Sequence, residues 1–237
     1  MASSLWMAAA LPGVFLLCSG CSISHDVSVG TPEHETKSIA LDKAEIVAVN
    51  LRMGVGELKI DSGTSQLMEG SFTYSTPSWK PEVDYRGGSS RGELTISQRS
   101  GNTDPRGDVK WDVKLNEQVA LDIDARLGVG EAEMNLGRVH LRSLEVRMGV
   151  GEVRVDLRGT PKRSYDVRIR GGVGEAHVRL PKTVGILATA KGGIGDIRME
   201  GLEKKGPYWV NPGHENDPVT IRVDVTGGVG EVTLVAE

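Results

Sequence analysis

One four-residue phrase returns six times along this chain: Gly54 to Glu57, Gly128 to Glu131, Gly149 to Glu152, Gly172 to Glu175, Gly193 to Asp196 and Gly228 to Glu231. Five copies read Gly-Val-Gly-Glu and the fifth in order reads Gly-Ile-Gly-Asp. Successive copies are 74, 21, 23, 21 and 35 residues apart, and the short steps suit one coil of two or three strands plus corners. Five, three and one residues before the first glycine, every copy carries a small or apolar residue, as in Val49, Leu51 and Met53 or Leu144, Val146 and Met148. Apolar alternation of period two is the mark of a half-buried strand.

After each turn the alternation resumes one step out of phase, placing Leu58 and Ile60, Val153 and Val155, or Val232 and Leu234 inward. The Val or Ile between the glycines belongs to the earlier inward set, so the second glycine and its acid absorb the phase change. This predicts an all-β, β-helix-like solenoid of about 22-residue rungs. Its corners are Gly54 and Gly56, Gly128 and Gly130, Gly149 and Gly151, Gly172 and Gly174, Gly193 and Gly195, and Gly228 and Gly230. Stacked bends of this kind need positive φ, no Cβ, or both. A phosphate cradle would lead into a helix, whereas each copy here leads into another strand.

Two charged columns flank the corner. Arg52, Arg126, Arg147, Arg170 and Lys191 stand two residues before the first glycine, and Glu57, Glu131, Glu152, Glu175, Asp196 and Glu231 follow the second. Like charges stacked one rung apart are unfavourable unless the opposite column interleaves, so the two ladders are expected to form a solvated ion-pair network. Divalent-cation binding by the acidic column is the alternative. Calcium-binding nonapeptides place their aspartate one position later and recur every nine residues, and calcium wants six to eight oxygens. We therefore assign no metal and no cofactor.

The run Leu51-Arg52-Met53-Gly54-Val55-Gly56-Glu57-Leu58-Lys59-Ile60 and its five relatives resemble the glycine-repeat β domain known as the toast-rack or putative-adhesin family of bacterial envelope proteins. The resemblance covers roughly residues 44–237 and implies a right-handed, β-helix-like stack, an envelope location and no catalytic residues. The long interval between the first two copies departs from the pattern.

Residues 1–20 contain no charged residue or histidine and carry an apolar stretch from Leu5 to Leu17, ending Cys18-Ser19-Gly20-Cys21. This looks like a bacterial lipoprotein signal with cleavage before Cys21 and a lipid on its sulfur, although no Lys or Arg precedes the stretch and Cys18 stands where leucine is usual. Pro12-Gly13 interrupts the segment, and as a spanning helix it falls short of the roughly 20 apolar residues required. Lipid attachment gives a membrane-anchored envelope protein, facing the periplasm from an outer membrane if two membranes are present; ordinary secretion is the alternative. Both cysteines of the chain lie here, so no disulfide can brace the remainder. Residues 21–43 read as a polar tether, with His25 and His34 as solvated spacers.

Residues 61–120 and 201–219 depart from the short repeat and hold Phe72, Tyr74, Trp79, Tyr85, Trp111, Tyr208 and Trp209. Gly92-Glu93-Leu94 could be a worn copy of the motif. These aromatics either cap the stack and pack beneath loops or present flat faces to glycans and proteins, which makes Trp79, Tyr85, Trp111, Tyr208 and Trp209 the candidate binding residues. Arg106-Gly107-Asp108 spells an adhesion tripeptide, but three common residues in a polar loop arise by chance. The net charge of −4 with both signs mixed along each strand excludes a nucleic-acid surface.

Catalysis finds no nucleophile elbow and no zinc-spaced His-Glu pair. The expected role is a non-enzymatic, lipid-anchored interaction, adhesion or envelope-stress accessory module. An enzyme acting on envelope polysaccharide, with Asp84, Asp108 or Asp112 as its acid, or a glycan-binding protein on the same scaffold, is the alternative. Because the chain stops just after the sixth copy, the C-terminal rung is expected either to pair with a protein partner or a second subunit, or to leave capping to the first excursion folding back over one end.

Overall fold

The computed structural model describes residues 31–99 and 108–237; Cys18, Cys21, His25 and most of Arg106-Gly107-Asp108 lie outside them. Fifteen strands form one continuous sheet system. They are β1 (Glu33–Ile39), β2 (Ile46–Thr64), β3 (Met68–Tyr74), β4 (Pro81–Arg86), β5 (Arg91–Gln98), β6 (Val109–Asn116), β7 (Ala120–Asn135) and β8 (Leu141–Asp156). They continue with β9 (Tyr165–Leu180), β10 (Gly185–Lys191), β11 (Ile197–Glu200), β12 (Glu203–Lys205), β13 (Tyr208–Val210), β14 (Thr220–Thr226) and β15 (Val229–Ala236).

The motif sits in mid-strand in β2, β7, β8 and β9, between β10 and β11, and at the start of β15, where only Gly228 precedes the strand. Each copy thus has a first arm, a corner and a second arm. Equivalent residues stack in parallel register, Met53 on Leu127 on Met148 on Gly171, and Glu57 on Glu131 on Glu152 on Glu175 on Glu231. Parallel in-register pairing puts each period-two inward set into a column. Leu51, Ala125, Val146, Ile169 and Val225 on the first arms and Ile60, Met134, Val155 and Leu234 on the second arms are all buried. These columns fill the space between the two arms, and every added rung shields the apolar faces of the one before it.

Rung order departs from chain order. β14 lies between β9 and β10, pairing with both in parallel, and β15 lies between β9 and β11. The sixth copy is therefore interior and the fifth is terminal, against the expectation that the C-terminal rung ends the stack. The 35-residue step between their first glycines explains how. After β11 the chain makes the β12–β13 hairpin, lays β13 antiparallel on the outer edge of β10, and returns through residues 211–219 to slot in beneath.

Residues 61–120 do not leave the stack as an excursion. β5 pairs in parallel with the first arm of β2 and β6 with its second arm, so together they form one further rung split in the middle. Gly92-Glu93-Leu94 is not its corner, because Gly92 stands opposite Val47 and Leu94 opposite Val49 at the start of the arm. β4 covers β5 and β3 covers β6, both antiparallel, so this segment does fold back over one end. Residues 33–39, read as part of the tether, are instead a strand, antiparallel to β3 with Glu33 opposite Tyr74 and Ile39 opposite Met68. His34 is held there: its Nδ1 lies 3.2 Å from Thr73 Oγ1 and its Nε2 3.3 Å from Ser71 Oγ.

Candidate functional site

The corner column is the feature the sequence repeats most faithfully, and stacking dictates its glycines. The second glycine of every copy has φ between +132° and +142°. A Cβ on Gly130 would sit 1.8 Å from the carbonyl oxygen of Gly56, and one on Gly151 would sit 1.8 Å from that of Gly130. Real contacts of that kind lie above 3 Å, so the rungs close at this spacing only with no side chain at the second position. In the split rung, where no glycine corner exists, the Gln98 side-chain oxygen takes its place, accepting the amides of Gly54 at 2.7 Å and Val55 at 3.2 Å.

The residue between the glycines turns outward, against the phase expected of it. Val129, Val150, Val173 and Val229 are 45–50% exposed and Ile194 is 72% exposed. With φ positive at the following glycine, the bend is already under way at the valine, and its side chain leaves the inward set. The result is an aliphatic ridge down the outside of the corner, Val129 on Val150 on Val173 on Val229 on Ile194.

The charged columns flank this ridge but do not interleave across it. Among the described residues, three of the five basic side chains pair with an acid two positions earlier on their own or the adjacent arm: Arg126 with Asp124 at 2.8 Å, Arg147 with Glu145 at 2.5 Å and Asp124 at 3.6 Å, and Arg170 with Glu145 at 2.7 Å. The acids likewise find partners along the second arm. Glu57 meets Lys110 at 3.0 Å, Glu152 meets Arg154 at 2.5 Å, Asp196 meets Arg198 at 3.7 Å, and Glu231 also meets Arg198. The corner bend points the two columns to different faces, so residues two apart on one pleat are closer than residues across the turn. Arg52, Lys191 and Glu131 complete the columns as exposed side chains.

His177, two positions after Glu175, enters this acidic face and carried no signal in the motif. Its Nε2 is 3.2 Å from Glu175 and 3.8 Å from Glu152, and the three side chains bring their ligand atoms within 4.8 Å of one another. Such a trio could hold a divalent cation. Arg154 already neutralises Glu152, however, and the arrangement is that of an ion-pair cluster.

Just inside the corner, the residue before the first glycine changes along the stack. Met53, Leu127 and Met148 fill the first three rungs, while Gly171, Gly227 and Gly192 leave the last three bare. A Cβ on Gly171 would meet nothing within 4 Å. The consequence is a narrow apolar cleft, lined by Met148, Ile169, Val225, Val232 and Ile197, that opens toward the fifth copy.

The aromatic candidates divide. Trp79 and Trp111 are buried, at 2% and 1% exposure, and cannot offer a flat face to a ligand. Trp111 packs edge-on against Phe72, with ring centroids 5.8 Å apart, closing the first end of the stack. Tyr85 packs against the core, and burial followed by the nearby Asp42 carboxylate pushes its hydroxyl up to about 12. Trp209 is half-buried, with Lys204 Nζ 5.9 Å from its ring centroid, which leaves Tyr208, 40% exposed, as the one open ring of the five. The candidate acids are not assembled into a site: Asp84 lies on β4 in an ion pair with Arg86 at 3.1 Å, Asp112 projects from β6, and Asp108 receives a backbone contact from Ser75.

The pattern of the N-terminal domain of toast_rack matches residues 28–179, which span the capping strands and the first four glycine corners. The chain belongs to the toast-rack family. Among solved structures, this toast-rack chain is similar to a putative cell adhesion protein from Clostridium sporogenes ATCC 15579, with 36% identity, a TM-score of 0.83, and 87% of this chain and 100% of that one covered. It is more distantly similar to a putative adhesin from Bacteroides fragilis NCTC 9343, at 10% identity and a TM-score of 0.33 over 86% of this chain and 97% of that one. No curated protein matches it. Among the described residues, no helix is long and apolar enough to cross a membrane.

Proposed function

We propose that this toast-rack chain is a non-enzymatic module of the bacterial cell envelope, lipid-anchored through Cys21, that works by contact in adhesion. The observation that carries the reading is the corner ridge. Five aliphatic side chains stand 45–72% exposed in a single register down the corner. A contiguous exposed apolar strip bordered by charge is the usual character of a protein contact face. The likeness to a protein named for cell adhesion over its whole length supports the same role. Burial of Trp79 and Trp111 weighs against the glycan-binding alternative.

Cells carrying the chain, compared with cells carrying Val150→Asp/Val173→Asp, test the reading. We expect the charged ridge to lower adherence while the thermal midpoint of the domain stays within a few degrees, because both positions are at the surface. Equal adherence at equal surface abundance refutes a contact role for the ridge. Cys21→Ala tests the anchor separately: incorporation of a labelled fatty acid should vanish and the protein should leave the membrane fraction.

A further inference from the structure

Three of the four arm ends of this stack are closed in one manner and the fourth is not. At one end, β4 lies antiparallel on the first arm β5 and β3 lies antiparallel on the second arm β6. At the other end, β13 lies antiparallel on the first arm β10. The second arm there, β11, pairs with β15 on its inner side and with no strand on its outer side among the described residues.

The inward columns register the missing cover. In the column Leu58, Ala132, Val153, Ala176, Val232, every member is at most 8% exposed, yet the last residue, Ile197, is 42% exposed. Met199, which ends the column of Ile60, Met134, Val155, Val178 and Leu234, is half-buried where all of those are buried. One more strand on this edge would bury both.

The backbone and charges specify which strand. Val232 N–H donates to Asp196 C=O at 2.9 Å, so in the parallel ladder Arg198 turns its N–H and C=O toward β15. Ile197 and Met199 therefore turn theirs outward. An antiparallel copy of the same strand, related by a two-fold axis through Met199, lets the two Met199 residues exchange both hydrogen bonds. It sets Arg198 opposite the partner subunit's Glu200 and Glu200 opposite the partner subunit's Arg198, in the closer, non-hydrogen-bonded pairing. Glu200 has no ion-pair partner within the chain among the described residues. Centring the axis on Arg198 would instead place two arginines face to face. An isologous contact of this kind closes on itself as a dimer.

We propose that the outer edge of β11 is a self-association surface on which a second copy of this chain adds an antiparallel strand in the Arg198–Glu200 register. It deepens the contact role proposed above and depends neither on the anchor nor on the corner ridge.

Light scattering of the full chain purified in detergent, over a micromolar concentration series, tests this directly. The wild type should pass from monomer to dimer with concentration. Glu200→Arg should weaken association by about tenfold or more, because it creates two like-charge pairs. The double variant Arg198→Glu/Glu200→Arg should recover at least part of it, since the exchanged charges again meet their opposites across the edge although position 198 loses its own pairing with Asp196 and Glu231. Met199→Pro removes an outward amide that takes no part in the β11–β15 ladder, so it should abolish the dimer while the far-UV spectrum is retained and the thermal midpoint falls only modestly for the loss of a half-buried side chain. A wild-type chain that stays monomeric overturns the proposal. So does a dimer indifferent to Glu200→Arg and Met199→Pro, or a double variant that fails to re-associate.

Discussion

Gly151→Ala and Gly171→Ala place the same methyl group in two positions that the structure treats oppositely. At Gly151 the new carbon would lie 1.8 Å from the carbonyl oxygen of Gly130 and 2.9 Å from its carbon, with φ held at +137°. Relief to an ordinary carbon–oxygen contact needs the rungs to part by roughly 1.5 Å, which takes ladder hydrogen bonds beyond bonding distance. Losing about two of these costs about 1 kcal/mol each, and an L-residue forced into that φ adds about 1–3 kcal/mol. The expected destabilisation is about 3–5 kcal/mol. At Gly171 no atom lies within 4 Å of the new carbon and φ is ordinary, so the loss of unfolded-state freedom should stabilise by about 0.4–1 kcal/mol. Urea unfolding followed by circular dichroism separates them: with a slope of about 2 kcal/mol/M, the two midpoints should differ by about 2 M. Midpoints within about 0.3 M of one another would refute the claim that rung-to-rung approach, rather than local turn preference, dictates the second glycine.

Trp111→Ala should cost about 3–5 kcal/mol in the same assay, since removing a buried ring packed edge-on against Phe72 would leave a cavity, whereas Tyr208→Ala at the exposed hairpin should change stability by less than about 0.5 kcal/mol. For Asp156, burial raises the carboxyl pKa, but hydrogen bonds from Arg158 and the charges of Arg158 and Arg179 outweigh it and hold the group below its usual value. A depressed folded-state value means the network adds stability above the unfolded carboxylate range and loses it as pH falls through the folded one. Asp156→Asn should accordingly destabilise at pH 7 by about 0.5–1 kcal/mol and converge with wild type as pH falls below the usual carboxylate range, as read from thermal midpoints across pH.

Much of the scaffold could be read from the chain before any coordinates. Period-two alternation around Gly54, Gly128, Gly149 and Gly172 depends only on neighbours along the strand, and those copies stack in the order they occur. The aromatics were harder, because Trp111 on β6 and Trp79 in the turn before β4 sit in a stretch with no glycine corner. Nothing local shows that β5 and β6 are the two halves of one rung. His177 could have been noticed two positions after Glu175, on the same pleat face, had the columns been extended beyond the motif.

By itself, then, the sequence determined the corner, the inward columns and the in-register rungs, because φ, Cβ volume and alternation are properties of a few consecutive residues. Tertiary structure alone decided that the sixth copy enters beneath the fifth. One arm's parallel edge is much like another's, and only the β12–β13 hairpin occupying β10 settles which edges meet. It alone turned Val129, Val150, Val173, Val229 and Ile194 outward, sent Arg126, Arg147 and Arg170 to acids on the first arms rather than across the corner, and left the outer side of β11 unpaired among the described residues. Each of these depends on which surfaces pack against which, and residues more than thirty positions apart share no local rule that fixes it.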